Sequence, residues 1–83
     1  MSKDIKLRDN SIHNRIARIR FELGLKAKEF ANILGVAPAS ISRYENTERL
    51  PDYTFLEKLV TELNVNPMYL FDKSENMFIT KEN

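Results

Sequence analysis

Apolar residues recur at helical spacing near the start of the chain, directly after Asn10 and Ser11, either of which can cap a helix. Ile12 is followed at i+4, i+7 and i+11 by Ile16, Ile19 and Leu23. This spacing places the four side chains on one helix face. Gly24 suits the left-handed residue that closes such a helix. The pattern therefore predicts a first helix that ends just before Gly24.

Four shorter helices are predicted downstream. They are expected at about residues 27–34, 38–46, 53–63 and 68–71. Pro38 suits a first helical turn, while Asp52 and Asn66 suit N-caps, the latter ahead of Pro67. The inward-facing positions of the second, third and fourth helices are Phe30, Ala31, Ile33, Leu34, Ile41, Tyr44, Phe55 or Leu56, Leu59, Val60 and Leu63. The expected fold class is all-α, with five short helices around one core.

Composition limits the function classes. With 83 residues the chain forms a single small domain, for which we expect a flexible arm at 1–10, a folded body at 11–73 and a tail at 74–83. Cysteine is absent and His13 is the single histidine, which excludes disulfides and argues against a metal site. No acid or nucleophile is placed to work with His13, so neither an enzyme nor a cofactor is expected. The sequence contains no signal peptide or membrane-spanning run, so a cytoplasmic or nuclear protein is expected.

Charge is unevenly distributed although the net charge is only +1. Residues 1–49 contain ten Lys or Arg against six Asp or Glu, whereas residues 50–83 contain three against six. Such polarity is typical of a domain that presents its first half to a polyanion.

Two short helices joined through Leu34-Gly35-Val36 are typical of a helix-turn-helix, here at about residues 27–46. Ala31 allows close approach, Gly35 supplies the turn and Ile41 anchors the second helix. Together with Leu23-Gly24-Leu25 and the segment SISRYEN, this pattern resembles the lambda-repressor-like, or Xre-type, family of bacterial and phage regulators. The resemblance covers residues 12–71. It implies five helices and sequence-specific operator binding, usually as a homodimer.

The resemblance also implies which residues meet DNA. The base-facing positions fall on Pro38, Ala39, Ser42 and Arg43. The phosphate-facing positions fall on Ala27, Ser40, Asn46 and Arg49, with Lys26 and Lys28 on either side of Ala27. Arg43 alone can bind guanine O6 and N7 with two hydrogen bonds, while Ala39 and Pro38 can meet a thymine methyl. Ala27 departs from the family's usual Gln and so lacks that side-chain contact.

Two further features follow from the resemblance. Arg20 and Glu45 occupy positions that form a partly buried ion pair in phage repressors. Lys26 and Ala37 occupy the N-cap positions of the two motif helices, where the family commonly has Ser or Thr. Neither side chain can accept a hydrogen bond, so we expect the N–H groups of residues 27–29 and 38–40 to be left for phosphates.

One recognition helix covers only a few base pairs, so we expect a homodimer on a pseudo-palindromic operator. The residues expected at the dimer interface are Met68, Tyr69, Met77, Phe78 and Ile79. For Leu70 and Phe71 the stronger expectation is burial in their own core. The alternative function is a protein-interaction module, such as the antitoxin of a toxin–antitoxin pair, because the third helix starts with apolar, uncapped residues.

Overall fold

A computed structural model of the chain describes residues 11–79. Its five helices are α1 (Ile12–Glu22), α2 (Ala27–Leu34), α3 (Pro38–Glu45), α4 (Tyr53–Leu63) and α5 (Pro67–Leu70). The all-α prediction is confirmed, since the described residues add only an isolated antiparallel bridge between Val65 and Phe78. The predicted arm at 1–10 and the end of the tail at 80–83 lie outside the described residues.

Local residue chemistry sets the helix ends. Ser11, Asp52 and Asn66 each accept a hydrogen bond at the side chain from a backbone N–H in the first turn of α1, α4 and α5. Asn64 closes α4 at φ 58°, and Gly24 follows α1 at φ 68°. Asparagine and glycine are the residues that tolerate this left-handed backbone. The helix boundaries therefore agree with the predicted ones to within about a residue.

One core joins all five helices. Its fully buried side chains include Ile16 and Ile19 of α1, Phe30 of α2, Ile41 of α3 and Phe55 of α4. α2 packs on α3 and α4, whereas α1 packs on α3 and α5. This arrangement leaves α3 with one face toward the core and the opposite face toward solvent.

Three predicted core positions are wrong. Phe71 is 54% exposed because it is the C-cap residue of α5, whereas Leu70 beside it is buried as expected. Ile33 is 39% exposed because α2 turns only the side with Phe30, Ala31 and Leu34 toward α3 and α4. Leu23 is 37% exposed because it is the C-cap residue of α1, where the helical face that buries Ile16 and Ile19 ends.

The tail folds back on its own chain. Met77 O accepts a hydrogen bond from the Asn66 N–H at 2.9 Å, and Ile79 N–H donates to Asn64 O at 2.8 Å. Met77 and Phe78 are half-buried against the core of their own chain, and their expected contribution to a dimer interface stays a prediction. The remaining interface residues are Tyr69, Met68 and Ile79. Tyr69 is only 5% exposed and is corrected to a core residue, whereas Met68 and Ile79 stay on the surface.

Candidate nucleic-acid interface

The outward face of α3 consists of Pro38, Ala39, Ser42 and Arg43, all of which are exposed. Helical spacing explains this grouping, because positions i, i+1, i+4 and i+5 share one side of a helix. Ile41 and Tyr44 point the other way and are buried. The structure therefore brings together the four residues expected at base edges.

Two of these residues differ in how freely they can reach a ligand. Arg43 is exposed, and its side chain makes no hydrogen bond or ion pair within residues 11–79. Ser42 Oγ accepts a hydrogen bond from Asn46 Nδ2 at 3.3 Å. Arg43 thus keeps all five guanidinium donors available, whereas Ser42 and Asn46 hold each other in place.

The residues expected at phosphates surround this face. Lys26, Lys28, Asn46 and Arg49 are exposed, whereas Ala27 and Ser40 are half-buried. A shallow groove separates the first turns of α2 and α3. Its lining consists of Lys26, Lys28, Glu29, Ala31, Asn32, Val36 and Pro38. The lining therefore combines two lysines and one glutamate with the apolar side chains of Ala31, Val36 and Pro38.

As expected, the side chains of the two N-cap residues, Lys26 and Ala37, form no capping hydrogen bond in the first turns of α2 and α3. Glu29 compensates in part, since its Oε1 accepts the Lys26 N–H at 2.8 Å. The expectation that residues 38–40 all present free backbone N–H groups is wrong for two of the three residues. Pro38 has no N–H, and the Ser40 N–H donates to Ala37 O at 2.9 Å. Ala39 and residues 27–29 remain as donors at the two helix starts.

Arg20 and Glu45 join α1 to α3. Arg20 Nε and Nη2 donate to Glu45 Oε2 and Oε1 at 2.8 and 3.0 Å. Arg20 Nη1 donates to Leu25 O at 3.0 Å, so the same guanidinium also holds the segment between α1 and α2. Hydrogen bonding to Glu45 raises the pKa of Arg20 above its ordinary value. With 17% and 13% of the two side chains exposed, the pair is largely shielded from solvent.

Sequence reasoning missed a contact of His13. His13 Nδ1 lies 2.7 Å from Tyr44 O, in the last turn of α3. The sequence predicts that His13 is an exposed or rim residue of the first helix without catalytic partners, and its half-buried position agrees with the rim, but the contact with Tyr44 was not predicted. Its position one residue after Ile12, at the edge of the apolar face of α1, was the available signal.

Arg15 was missed as well. It is 5% exposed and donates to Tyr69 O at 2.8 Å and to Asp72 Oδ1 at 2.7 Å. Its guanidinium carbon lies 4.4 Å from the centre of the Tyr69 ring. Arg15 immediately precedes Ile16 on the buried side of α1, and this neighbourhood was the only sequence signal. The contacts fasten α5 and its exit to α1.

Comparisons with known proteins agree with this geometry. A sequence model described as helix-turn-helix matches residues 15–70, which include α2, α3 and the turn between them. The chain belongs to the helix-turn-helix family of the lambda-repressor (Xre) type. A search of the curated proteins gave no match.

A solved structure supports the same helix-turn-helix assignment. It is the P22 c2 repressor protein in complex with synthetic operator 9T, in the presence of Tl⁺. That chain is 26% identical to this one and superposes with a TM-score of 0.70, over 80% of this chain and 100% of its own length. The shared architecture therefore extends well beyond the two motif helices.

Other classes of site find no support within residues 11–79. In that range no group of His, Asp and Glu side chains could hold a metal ion. No helix of the same range is long and apolar enough to cross a membrane. Helix-turn-helix proteins of this type are typically DNA-binding and not enzymes.

Proposed function

We propose that this chain is a sequence-specific, repressor-like DNA-binding regulator that inserts α3 into the major groove of its operator. One observation carries the proposal: α3 exposes Pro38, Ala39, Ser42 and Arg43 on one face while its other face is anchored in the core. The similarity to a repressor bound to an operator supports it. A helix held in this way can enter the major groove without unpacking the domain.

Base reading rests mainly on Arg43. Its unengaged guanidinium matches the O6 and N7 acceptors of guanine, which is the commonest specific contact to a base. Pro38 and Ala39 have no side-chain hydrogen-bonding group, so they contribute apolar contact with thymine methyls. Ser42 discriminates little between bases, since its hydroxyl both donates and accepts and is already bonded to Asn46.

Phosphate contacts set the position of the domain on the duplex. Lys26, Lys28 and Arg49 supply exposed cations around the α3 face. The N–H groups of residues 27–29 point from an uncapped helix start, which favours an anion. Such contacts fix register and orientation and carry no sequence information. Ala27 contributes only its backbone N–H to these phosphate contacts.

A homodimer is part of the proposal, because two recognition helices about 10 base pairs apart double the specific contacts. With Tyr69 buried, the surface for a second copy shifts to the exposed apolar residues of α5 and its exit. Met68 is 52% exposed and Phe71 is 54% exposed. Two copies related by a two-fold axis would bring these side chains together and demand a pseudo-palindromic operator.

A protein-interaction module, such as an antitoxin, is the second candidate. Its support is the apolar and exposed start of α3, where Pro38 and Ala39 offer no polar group to a base. In this case the same face would dock on a protein such as a toxin.

Selection from a random DNA library, followed by mobility shifts at several salt concentrations, tests the proposal. We expect a pseudo-palindromic site and a log–log salt slope of about −0.9 per phosphate contacted. A matched control is Glu57→Ala, which changes an exposed residue of α4 that is not among the proposed DNA contacts. Failure of the chain to shift any duplex at low salt would contradict DNA binding and favour the protein-interaction module.

A further inference from the structure

The last turn of α3 receives a hydrogen bond from another helix. The final carbonyls of any α-helix have no partner within the helix and need one from elsewhere. In α3, Ser42 O accepts the Asn46 N–H at 2.9 Å and Arg43 O accepts the Glu48 N–H at 3.0 Å. Tyr44 O instead meets His13 Nδ1 of α1 at 2.7 Å. His13 thus acts as a C-terminal cap for a helix to which it does not belong.

This contact fixes the tautomer of His13. A backbone carbonyl can only accept a hydrogen bond, so Nδ1 must carry the proton. In the neutral ring Nε2 is then unprotonated. The tautomer gives the contact a signature that can be observed without DNA.

The anchors of α3 on α1 lie seven residues apart, which is two helical turns. His13 holds Tyr44, and Arg20 holds the adjacent Glu45. Arg43, which is the proposed base reader, directly precedes Tyr44 in the same turn. These two polar contacts restrain the position and tilt of this turn from separate points on α1, in addition to the burial of Ile41 and Tyr44 in the core.

We propose that His13 is a positioning residue for DNA recognition: through the Tyr44 carbonyl it sets the orientation at which α3 presents Arg43. This inference rests on the proposed function. Without the His13 contact, the last turn of α3 keeps the Arg20–Glu45 pair and the buried Ile41 and Tyr44 side chains but loses the restraint on its backbone at Tyr44 O. Operator binding is then weakened although the domain stays folded.

A matched pair of variants isolates the hydrogen bond. In His13→Asn the side-chain amide nitrogen occupies nearly the place of Nδ1 and can donate to Tyr44 O. In His13→Leu a side chain of similar size and no charge cannot donate. Leucine is also the better helix former, so a loss caused by His13→Leu does not reflect weaker helix propensity in α1.

Two measurements on the full chain test the inference. Nitrogen-15 NMR of the free protein should show the neutral His13 ring protonated at Nδ1, and the Tyr44 contact should protect that proton from exchange. Mobility shifts on the selected operator, at a temperature where circular dichroism shows every variant folded, should give about three- to tenfold weaker binding for His13→Leu. His13→Asn should restore affinity to within about twofold, and binding to an unrelated duplex should change less.

A merely structural role would lower the melting temperature of His13→Leu and leave the affinity of the folded protein unchanged, which would overturn the inference. A neutral ring protonated at Nε2 would overturn it too. If the wild-type chain binds no duplex, the proposed function and the positioning role both fail, while the tautomer still reports whether His13 caps α3.

Discussion

At the scale of single residues, predictions succeed where the preference is local. Gly24 was expected in a left-handed conformation and adopts it, because glycine tolerates positive φ, and asparagine tolerates the same conformation at Asn64. Thr47 adopts φ 64° although a β-branched side chain disfavours it. No propensity predicts this conformation. The chain between the C-cap of α3 and Asp52 imposes it, and the Thr47 hydroxyl donates to Asn46 O.

Thr47→Gly should therefore stabilise the fold. Glycine removes the steric cost of positive φ, which is about 1 kcal/mol. Part of this gain is lost because glycine also raises the conformational entropy of the unfolded chain. Urea unfolding should show a net gain of about 0.5 kcal/mol in the free energy of unfolding. Thr61→Gly is the control, and it should destabilise because Thr61 lies within α4. Equal losses in both variants would mean that Thr47 is unstrained.

At the scale of elements, caps make helix boundaries predictable, whereas contacts between helices depend on packing angles that the sequence does not display. Asp52 and Asn66 marked the starts of α4 and α5 as expected. The Arg20–Glu45 pair was predicted only from the family resemblance, and the His13 and Arg15 contacts were not predicted. Each of these contacts joins residues that are far apart in the chain.

Arg20→Met should destabilise the domain strongly, because it leaves the shielded Glu45 carboxylate without its partner. Loss of one member of a buried ion pair costs about 3 kcal/mol or more. Arg43→Met is the matched control, since it makes the same change on an exposed arginine of α3. Thermal unfolding should show a large fall in melting temperature for Arg20→Met alone. Similar melting temperatures for the two variants would show that the pair contributes little.

At the scale of the whole molecule, the fold and the α3 face followed from patterning and resemblance, whereas the position of the tail against its own chain did not. Met77 and Phe78 form an apolar cluster that the sequence can assign to a partner or to its own core. The hydrogen bonds of the tail with Asn64 and Asn66 place it against its own chain. This pairing depends on the turn that follows α5, which has no clear sequence signature.

Truncation after Ser74 should lower the free energy of unfolding by about 2 kcal/mol, because Met77 and Phe78 lose their half-buried positions. Glu75→Ala is the control, since it changes an exposed residue of the same segment, and it should leave stability unchanged. Sedimentation at a temperature where both forms are folded should show similar association, since Met68 and Phe71 remain. Weaker association combined with unchanged stability would instead place the tail at the dimer interface.

The central claim is that α3 reads base pairs through Arg43, and the most direct test measures affinity across a set of operators that each carry one changed base pair. Arg43→Ala should bind the selected site with a binding free energy weaker by about 1–3 kcal/mol. It should also no longer discriminate between bases at one position in each half-site. Lys28→Ala should weaken binding to every operator by a similar factor and reduce the salt slope by about one. If Arg43→Ala also weakens all operators alike, Arg43 meets the phosphate backbone and the proposed docking of α3 is wrong.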